Sequence, residues 1–196
     1  MQITGQITPD SLMSLEAYAQ WRKDHQPQMR VHRQLRSVAL GEHASVQFES
    51  ETTIRYQIQE MMRIEKVFEA EDIAQEIAAY LPLVPTGTHW KATLMLAYPD
   101  PQARAHALAQ LVGVEDRLFV EIAHQPRVYA VADEDLDREN SAKTSAVHFV
   151  RFELTPVMRT AVKAGAAVTL GCDHPYLAVQ TPIASDTLAS LASDLR

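Results

Sequence analysis

Hydrophobic residues in the first third of the chain recur mainly at helical spacing. Thr8 followed by Pro9 is typical of a helix start, because proline's missing N–H costs nothing in the first turn. The apolar stripe that follows comprises Leu12, Leu15, Tyr18 and Ala19. It predicts a helix that continues towards Arg36, with a kink or break at Pro27.

The pattern then changes to alternation on either side of Gly41, which predicts a β-hairpin. Its apolar positions are Val38, Leu40, Val46 and Phe48. Two further helices and a proline-containing loop follow, over about Glu51–Phe68, Asp72–Tyr80 and Leu81–Thr88. Residues 1–88 are therefore predicted to be a helical N-terminal region with a hairpin.

Residues 89–196 use one pattern twice: a strand, a capped helix that stops at glycine, and two strands. The first copy comprises Lys91–Tyr98, the cap pair Asp100–Pro101, a helix to Gly113, Leu118–Ala123 and Val128–Val131. The second comprises Ala146–Leu154, Thr155–Pro156, a helix to Gly165, Val168–Cys172 and Tyr176–Thr181. A helix capped by Ser185 follows. The class is α+β with a mixed, mainly antiparallel sheet, and we expect one compact unit. Residue identity barely repeats, so both a duplication and a common α+β arrangement stay open.

Composition excludes several classes of protein. The chain has 196 residues, 46% hydrophobic and 22% charged, which is ordinary for a soluble globular protein and excludes disordered and collagen-like chains. Acidic and basic residues balance in residues 1–66, so the whole net charge of −7 lies in residues 67–196.

Two short segments carry opposite charge. Residues 22–36 are basic and residues 133–139 are acidic. Nucleic acid would be attracted to the first and repelled by the rest, and no aromatic residue lies between Lys23 and Arg36, so we expect no nucleic-acid site. The two segments could also complement each other between copies, which predicts a homodimer.

The sequence predicts a cytoplasmic protein. Residues 1–11 have neither the basic nor the apolar region of a signal peptide, and no apolar run approaches the ~20 residues of a membrane span. Cys172 is the only cysteine, so neither an intrachain disulfide nor a cysteine zinc site can form.

Glu65 is the least expected residue of the long helix, since it lies near the centre of a broad apolar arc. An unpaired buried charge costs several kcal/mol, roughly, so the carboxylate needs an explanation. It could form an ion pair with Arg33 or Arg36, it could face a ligand or metal, or it could be exposed where the helix end frays.

The histidines give no metal motif, because neither an HExxH string nor a pair at i, i+4 spacing is present. His148 lies on an apolar strand face and is expected to be a hydrogen-bonded core residue. Arg151 points to the other face and requires a carboxylate or a bound anion. Cys172 and His174 at a strand end could form a nucleophile pair, although a turn in which Asp173 bonds backbone N–H groups is the simpler interpretation.

Four stretches resemble a bacterial family catalogued as domain of unknown function 3501. They are Gln57–Met61 with Arg63 and Glu65, Tyr80–Pro85 with Gly87, Ala146–Val147 with Val150–Phe152, and Asp173–Tyr176. His148–Phe149 departs from the glutamine-tyrosine pair expected there, which weakens a ligand role for His148. The family has no established activity. Its genes often lie near those of rubrerythrin-like proteins and iron–sulfur oxidoreductases, so the resemblance implies a link to redox systems.

Two functions follow from these observations. The first is an accessory or interaction protein of an iron–sulfur or rubrerythrin-type redox partner. The alternative is a small-molecule or metal-binding protein, or an enzyme, that uses ionisable residues on or beside apolar faces. The candidate ligand-binding residues are Glu60, Arg63, Glu65, Arg151 and His174. The sequence identifies no catalytic residue or cofactor.

Overall fold

A computed structural model describes residues 7–132 and 143–196, and their contacts divide them into two compact units. The first unit comprises residues 7–34 and 49–85. The second comprises residues 35–48, 86–132 and 143–196, so it includes the hairpin that the sequence placed in the N-terminal region. A domain boundary at residue 88 and a single compact body stay predictions. The acidic segment 133–139 lies outside the described residues.

The first unit is helical. Its helices are α1 (Leu15–Leu35, whose last residue is in the second unit), α2 (Glu51–Glu65) and α3 (Ala70–Tyr80). The predicted start near Pro9 is a separate 3₁₀ turn, in which the Thr8 N–H donates to Ser11 Oγ at 2.9 Å. α1 begins only at Leu15, where Ser14 Oγ accepts the Ala17 N–H at 3.2 Å.

The ends of these helices follow local backbone geometry more than hydrophobic period. α1 continues through Pro27 without a break. α2 ends at Glu65, three residues before the predicted Phe68, because Lys66 adopts left-handed backbone geometry (φ 57°) and cannot extend the helix. Within the described residues, no helix combines the length and the apolar character that crossing a bilayer requires.

The second unit contains strands and three helices. In chain order these are β1 (Ser37–Leu40), β2 (Ala44–Phe48), β3 (His89–Leu96), α4 (Pro101–Gln110), β4 (Leu118–Ile122), β5 (Val128–Tyr129), β6 (Val131–Ala132), β7 (Val147–Glu153), α5 (Pro156–Lys163), β8 (Val168–His174), β9 (Leu177–Pro182) and α6 (Ser185–Ala192). The predicted cap pairs are confirmed, since Asp100 Oδ1 accepts the Ala103 N–H at 2.7 Å and Thr155 accepts that of Met158 at 3.3 Å.

The strands form two sheets, ordered β1-β2-β3-β7-β6 and β5-β4-β8-β9, in which every neighbouring pair is antiparallel. The α+β class is confirmed, whereas the single mixed sheet of the prediction is two antiparallel sheets. The reason lies at Ala130, where the chain leaves one sheet after β5 and enters the other at β6. The single strand that the sequence predicts over Val128–Val131 is therefore two short strands, one in each sheet.

The two copies of the strand–helix–strand–strand pattern are arranged symmetrically. Their first strands, β3 and β7, pair with each other, and so do their middle strands, β4 and β8. The last strands, β5 and β9, lie at the two edges of the second sheet. Corresponding strands of the two copies therefore meet at the centre of each sheet. One continuous apolar core joins them, with Trp90 fully buried and its Nε1–H donating to Leu191 O at 3.1 Å.

Gly171 on β8 leaves room for the ring of Phe119 on β4, which is directly opposite in register. A Cβ at Gly171 would lie 2.4 Å from Phe119 Cζ. The ring has little freedom to yield, because it is fully buried and the Arg127 guanidinium lies 4.1 Å from its centroid. The packing of the Phe119 ring therefore requires a residue without a side chain at position 171.

Replacing Gly171 with alanine is expected to lower the free energy of unfolding by about 1–3 kcal/mol through overpacking. Urea unfolding followed by Trp90 emission in a Trp21→Phe background measures the change. Thr169→Ala, on the same face of the same strand, is the matched control. Gly171→Ala should cost less stability in a Phe119→Leu background than in the wild type, because leucine is smaller than the phenyl ring. If the double variant loses as much stability as the two changes added together, the ring is not the cause.

Candidate functional site

A carboxylate on α2 connects that helix to α1 in the first unit. Glu60 Oε1 accepts hydrogen bonds from Tyr18 Oη and from Arg22 Nε, both at 2.7 Å. Arg63, one turn further along α2, donates to both Glu60 oxygens at 3.3 Å. His32 Nε2 lies 3.1 Å from Ser50 Oγ at the start of α2, so the two helices run antiparallel.

This cluster fixes the protonation of its members. Burial raises the pKa of Glu60, but hydrogen bonds from Arg22, Tyr18 and Arg63 outweigh burial and hold the pKa at about 2. Burial raises the pKa of Tyr18 as well, and the neighbouring Glu60 carboxylate raises it further. At neutral pH the carboxylate is therefore charged, and the phenol remains a donor.

Replacing Glu60 with glutamine is expected to lower the free energy of unfolding by about 1–3 kcal/mol, because the hydrogen bonds to Arg22 and Tyr18 lose their charge. The pKa in the folded protein, about 2, lies below the ordinary value of 4.5. The advantage of the wild type should therefore be complete above pH 4.5 and disappear as the pH falls from 4.5 to 2.

Urea unfolding followed by Trp21 emission in a Trp90→Phe background measures this difference as a function of pH. Glu71→Gln, an exposed change on α3, is the control. A stability difference between the wild type and Glu60→Gln that persists unchanged to the acid limit would contradict the role assigned to the cluster.

A cleft of about 330 Å³ lies between α1 and α2, with Glu60 in its lining. From α1 it is lined by Gln26, Met29, Arg30 and Arg33, and from the α2 side by Glu49, Thr53, Tyr56 and Gln57. Residues 26, 30 and 33 are four and three positions apart, so they share one helix face. Glu49 is buried and accepts a hydrogen bond from Thr53 Oγ1 at 2.7 Å.

Four polar side chains of this cleft have no hydrogen bond or ion pair with any residue that the structure describes. They are Gln26, Arg30, Arg33 and Gln57. Two guanidinium and two amide groups therefore converge on one small cavity with their donors available. Elsewhere in the first unit, Arg22, Arg55 and Arg63 are all bound to carboxylates.

A second cleft, of about 300 Å³, lies along another face of α1 and shares Met29 and Tyr56 with the first. Its wall contains stacked rings: Trp21 lies 4.5 Å from His25 and 5.7 Å from Tyr18, measured between centroids. This cleft is aromatic, whereas the first is lined by charged and amide groups.

Comparison with known proteins places the chain in a family. Residues 6–195 match the family DUF3501, described as "Protein of unknown function". The chain belongs to the DUF3501 family. It is also similar to a solved structure, the crystal structure of a novel protein of unknown function from Burkholderia pseudomallei K96243. That similarity covers 98% of this chain and 100% of the other, with 49% identity and a TM-score of 0.93. None of the curated proteins searched matches the sequence.

The resemblance to the DUF3501 family drew attention to α2, and the structure separates the three charged residues named there. Glu60 and Arg63 lie together in the cluster with Tyr18 and Arg22. Glu65 does not join them: it is the last residue of α2 and is exposed. Neither an ion pair with Arg33 or Arg36 nor a cavity explains it; the third alternative, exposure at the helix end, is the observed one.

The two candidates in the second unit have partners of their own. Arg151 Nε donates to Glu153 Oε1 at 3.0 Å, which supplies the carboxylate that the sequence required. His174 is buried, with Nε2 3.2 Å from Val112 O and Nδ1 accepting the Tyr176 N–H at 3.3 Å. Both ring nitrogens therefore hold the end of β8 in place, and neither candidate lies in the α1–α2 cleft.

The structure also tests the sequence interpretations of His148, Cys172 and Asp173. His148 is a buried, hydrogen-bonded residue, as expected, with Nε2 2.9 Å from Thr144 Oγ1. Burial raises the pKa of the Cys172 thiol, which disfavours a thiolate nucleophile. Asp173 lies within β8 and accepts the Tyr129 hydroxyl at 2.7 Å, not the backbone N–H groups of a turn. Among the described residues, no three metal-binding side chains are grouped to hold an ion.

Sequence reasoning missed the polar residues that line the cleft. The sequence placed Arg30 and Arg33 in a basic segment, with Arg33 as a possible partner of Glu65, and Gln57 only in a stretch that resembles the family. The signal available was the spacing of Gln26, Arg30 and Arg33, which places an amide and two guanidinium groups on one helix face. Gln57 on α2 could not be identified as their neighbour, because the sequence does not show which faces of α1 and α2 pack together.

Proposed function

We propose that this protein binds a small molecule in the cleft between α1 and α2. The observation that carries the proposal is the convergence of four polar side chains without partners among the described residues: Gln26, Arg30, Arg33 and Gln57. Donor groups placed around a concave cavity fix the orientation of a ligand. A volume of about 330 Å³ lies at the small end of ligand sites.

The cluster around Glu60 supports the cleft as a rigid wall. Tyr18, Arg22 and Arg63 hold the carboxylate from two helices, so α1 and α2 keep their spacing without a ligand. A preformed cavity loses less conformational entropy when a ligand binds. In this proposal Glu60 and Arg63 shape the cleft, and the residues without partners contact the ligand.

Capture from a small-molecule extract tests the proposal. Protein is equilibrated with a deproteinised bacterial extract, washed by rapid gel filtration and examined by native mass spectrometry. We expect the wild type to retain a molecule that Gln57→Trp, which fills the cleft, releases. Gln28→Trp, an exposed change on the same helix pair outside this cleft, is the matched control and should retain it. Retention of nothing, or equal retention by Gln57→Trp, contradicts the proposal.

A role beside an iron–sulfur or rubrerythrin-type redox partner stays a second prediction, as does a cytoplasmic location. The exposed basic residues of α1, Lys23, Arg30 and Arg33, support it to the extent that an acidic partner would be attracted there. Affinity purification from the native host tests it. Recovery of no redox protein would count against this role while leaving the ligand proposal intact.

The predicted homodimer depends on the acidic segment 133–139, which lies outside the described residues. Light scattering at low and high salt tests it directly. Charge complementarity predicts a dimer that dissociates as the salt concentration rises. A monomer at low salt would remove the prediction.

A further inference from the structure

We infer that the ligand carries a dianionic group of the phosphate-monoester class, held between Arg30 and Arg33. This inference rests on the proposed function and names its ligand class. Its basis is the charge inside the cleft. Two guanidinium groups have no anion among the described residues, and both are permanently charged.

The two carboxylates that line the cleft, Glu49 and Glu60, form no ion pair with Arg30 or Arg33. Glu60 is already bound by two arginines, Arg22 and Arg63, so its charge is more than offset within its own cluster. Glu49 is buried and accepts a hydrogen bond from Thr53. Arg30 and Arg33 are exposed, so water solvates them while the cleft is empty, and a dianion would neutralise both with one group.

The two positive charges of the donors favour phosphate over a single carboxylate. Each guanidinium is a planar fork that pairs best with two acceptor oxygens. One carboxylate can accept from two such forks, as Glu60 does from Arg22 and Arg63, but it carries one negative charge against two positive ones. A phosphate monoester offers three terminal oxygens and a charge close to −2 at neutral pH. One phosphate oxygen can accept from both guanidinium groups, and each guanidinium can also donate to one of the other two oxygens.

The other residues of the cleft suit a ligand whose part beyond the phosphate is small and polar. Gln26 and Gln57 each provide an amide that can donate and accept, which suits hydroxyl or carbonyl groups near the phosphate. Met29 and Tyr56 give an apolar surface beside them. The volume of about 330 Å³ leaves room for a small phosphate ester rather than for a dinucleotide.

The ionisation of the probe supplies the test. Glycerol 3-phosphate is titrated into the full chain while the arginine Nε–H signals are followed by NMR, at pH 7.5 and at pH 5.5. Because the second pKa of a phosphate monoester is about 6, the apparent affinity should fall about fourfold at the lower pH. Sulfate, dianionic at both values, should bind with little change, and acetate should bind at least tenfold more weakly than either.

Two variants locate the site. Arg33→Gln should lower the affinity for glycerol 3-phosphate at least tenfold, whereas Lys23→Gln, an exposed basic change on the same helix outside the cleft, should leave it unchanged. Equal losses in both variants, or acetate binding as tightly as the phosphate, overturns the inference.

The failure of the inference can be told apart from the failure of the proposed function. If the extract yields a cleft ligand that is neutral or singly charged, the dianion is wrong and the binding role stands. If nothing is captured and no probe shifts the signals of Arg30 and Arg33, both are wrong.

Discussion

Replacing Arg36 with methionine is expected to lower the free energy of unfolding of the second unit by about 3–5 kcal/mol, because it leaves a buried carboxylate without its partner. Arg36 is 1% exposed and donates to Phe48 O, to Ser190 O and to Asp194. These contacts join the start of β1 to the end of α6. The exposed arginines of α1, Arg30 and Arg33, form no such bonds with any residue that the structure describes.

Asp194 explains why the loss should be large. It is mostly buried, with 17% of its side chain exposed. Burial raises its pKa even though the adjacent Arg36 guanidinium lowers it, so its charged form depends on that neighbour. Without Arg36 the carboxylate must either stay buried and unpaired or take up a proton, and both outcomes destabilise the folded state at neutral pH.

Urea unfolding followed by Trp90 emission in a Trp21→Phe background measures the effect. Arg104→Met, at an exposed position of α4, is the matched control and should change stability by less than about 0.5 kcal/mol. The double variant Arg36→Met/Asp194→Asn should be more stable than Arg36→Met, because it also removes the unpaired carboxylate. A loss for Arg36→Met no larger than that of the control would contradict this role.

Replacing both Arg30 and Arg33 with glutamine is expected to lower ligand affinity by about 100-fold or more. A hydrogen bond to a charged group contributes about 1.5–3 kcal/mol, and each tenfold change in affinity corresponds to about 1.4 kcal/mol. The two residues are exposed and have no partners among the described residues, so folding should change little.

Isothermal titration with the captured molecule measures this loss, and thermal unfolding confirms that the variants are folded. Lys23→Gln/Arg104→Gln removes the same amount of charge outside the cleft and is the control. If the control loses as much affinity, binding depends on net charge rather than on the cleft. Single variants should lie between the wild type and the double variant.

Local chemistry predicted much of the fold. The cap pairs at Asp100 and Thr155 hold as expected, because each side chain accepts an N–H of the first helical turn, whereas Thr8–Pro9 begins only a 3₁₀ turn. The pairing of the strands could not be predicted in the same way. The separation into two sheets depends on the transfer of the chain at Ala130, and nothing in the alternation around that residue distinguishes one sheet from two.

Charged residues were harder to place, because their partners are distant in sequence. Arg36 was a candidate partner for Glu65, yet its carboxylate is Asp194, near the end of the described chain. Glu65 was expected on an apolar face because the period of α2 was extended to Phe68. The left-handed backbone at Lys66 ends the helix and leaves Glu65 exposed. Hydrophobic period locates a buried face, and backbone geometry decides where that face stops.

The proposed ligand site between α1 and α2 is tested most directly by a crystal structure with the captured molecule bound. We predict that the molecule contacts Arg30 and Arg33 and reaches Gln57, while the Glu60 cluster keeps its present hydrogen bonds. A molecule bound elsewhere, with the donors of Arg30 and Arg33 left to solvent, would contradict the claim.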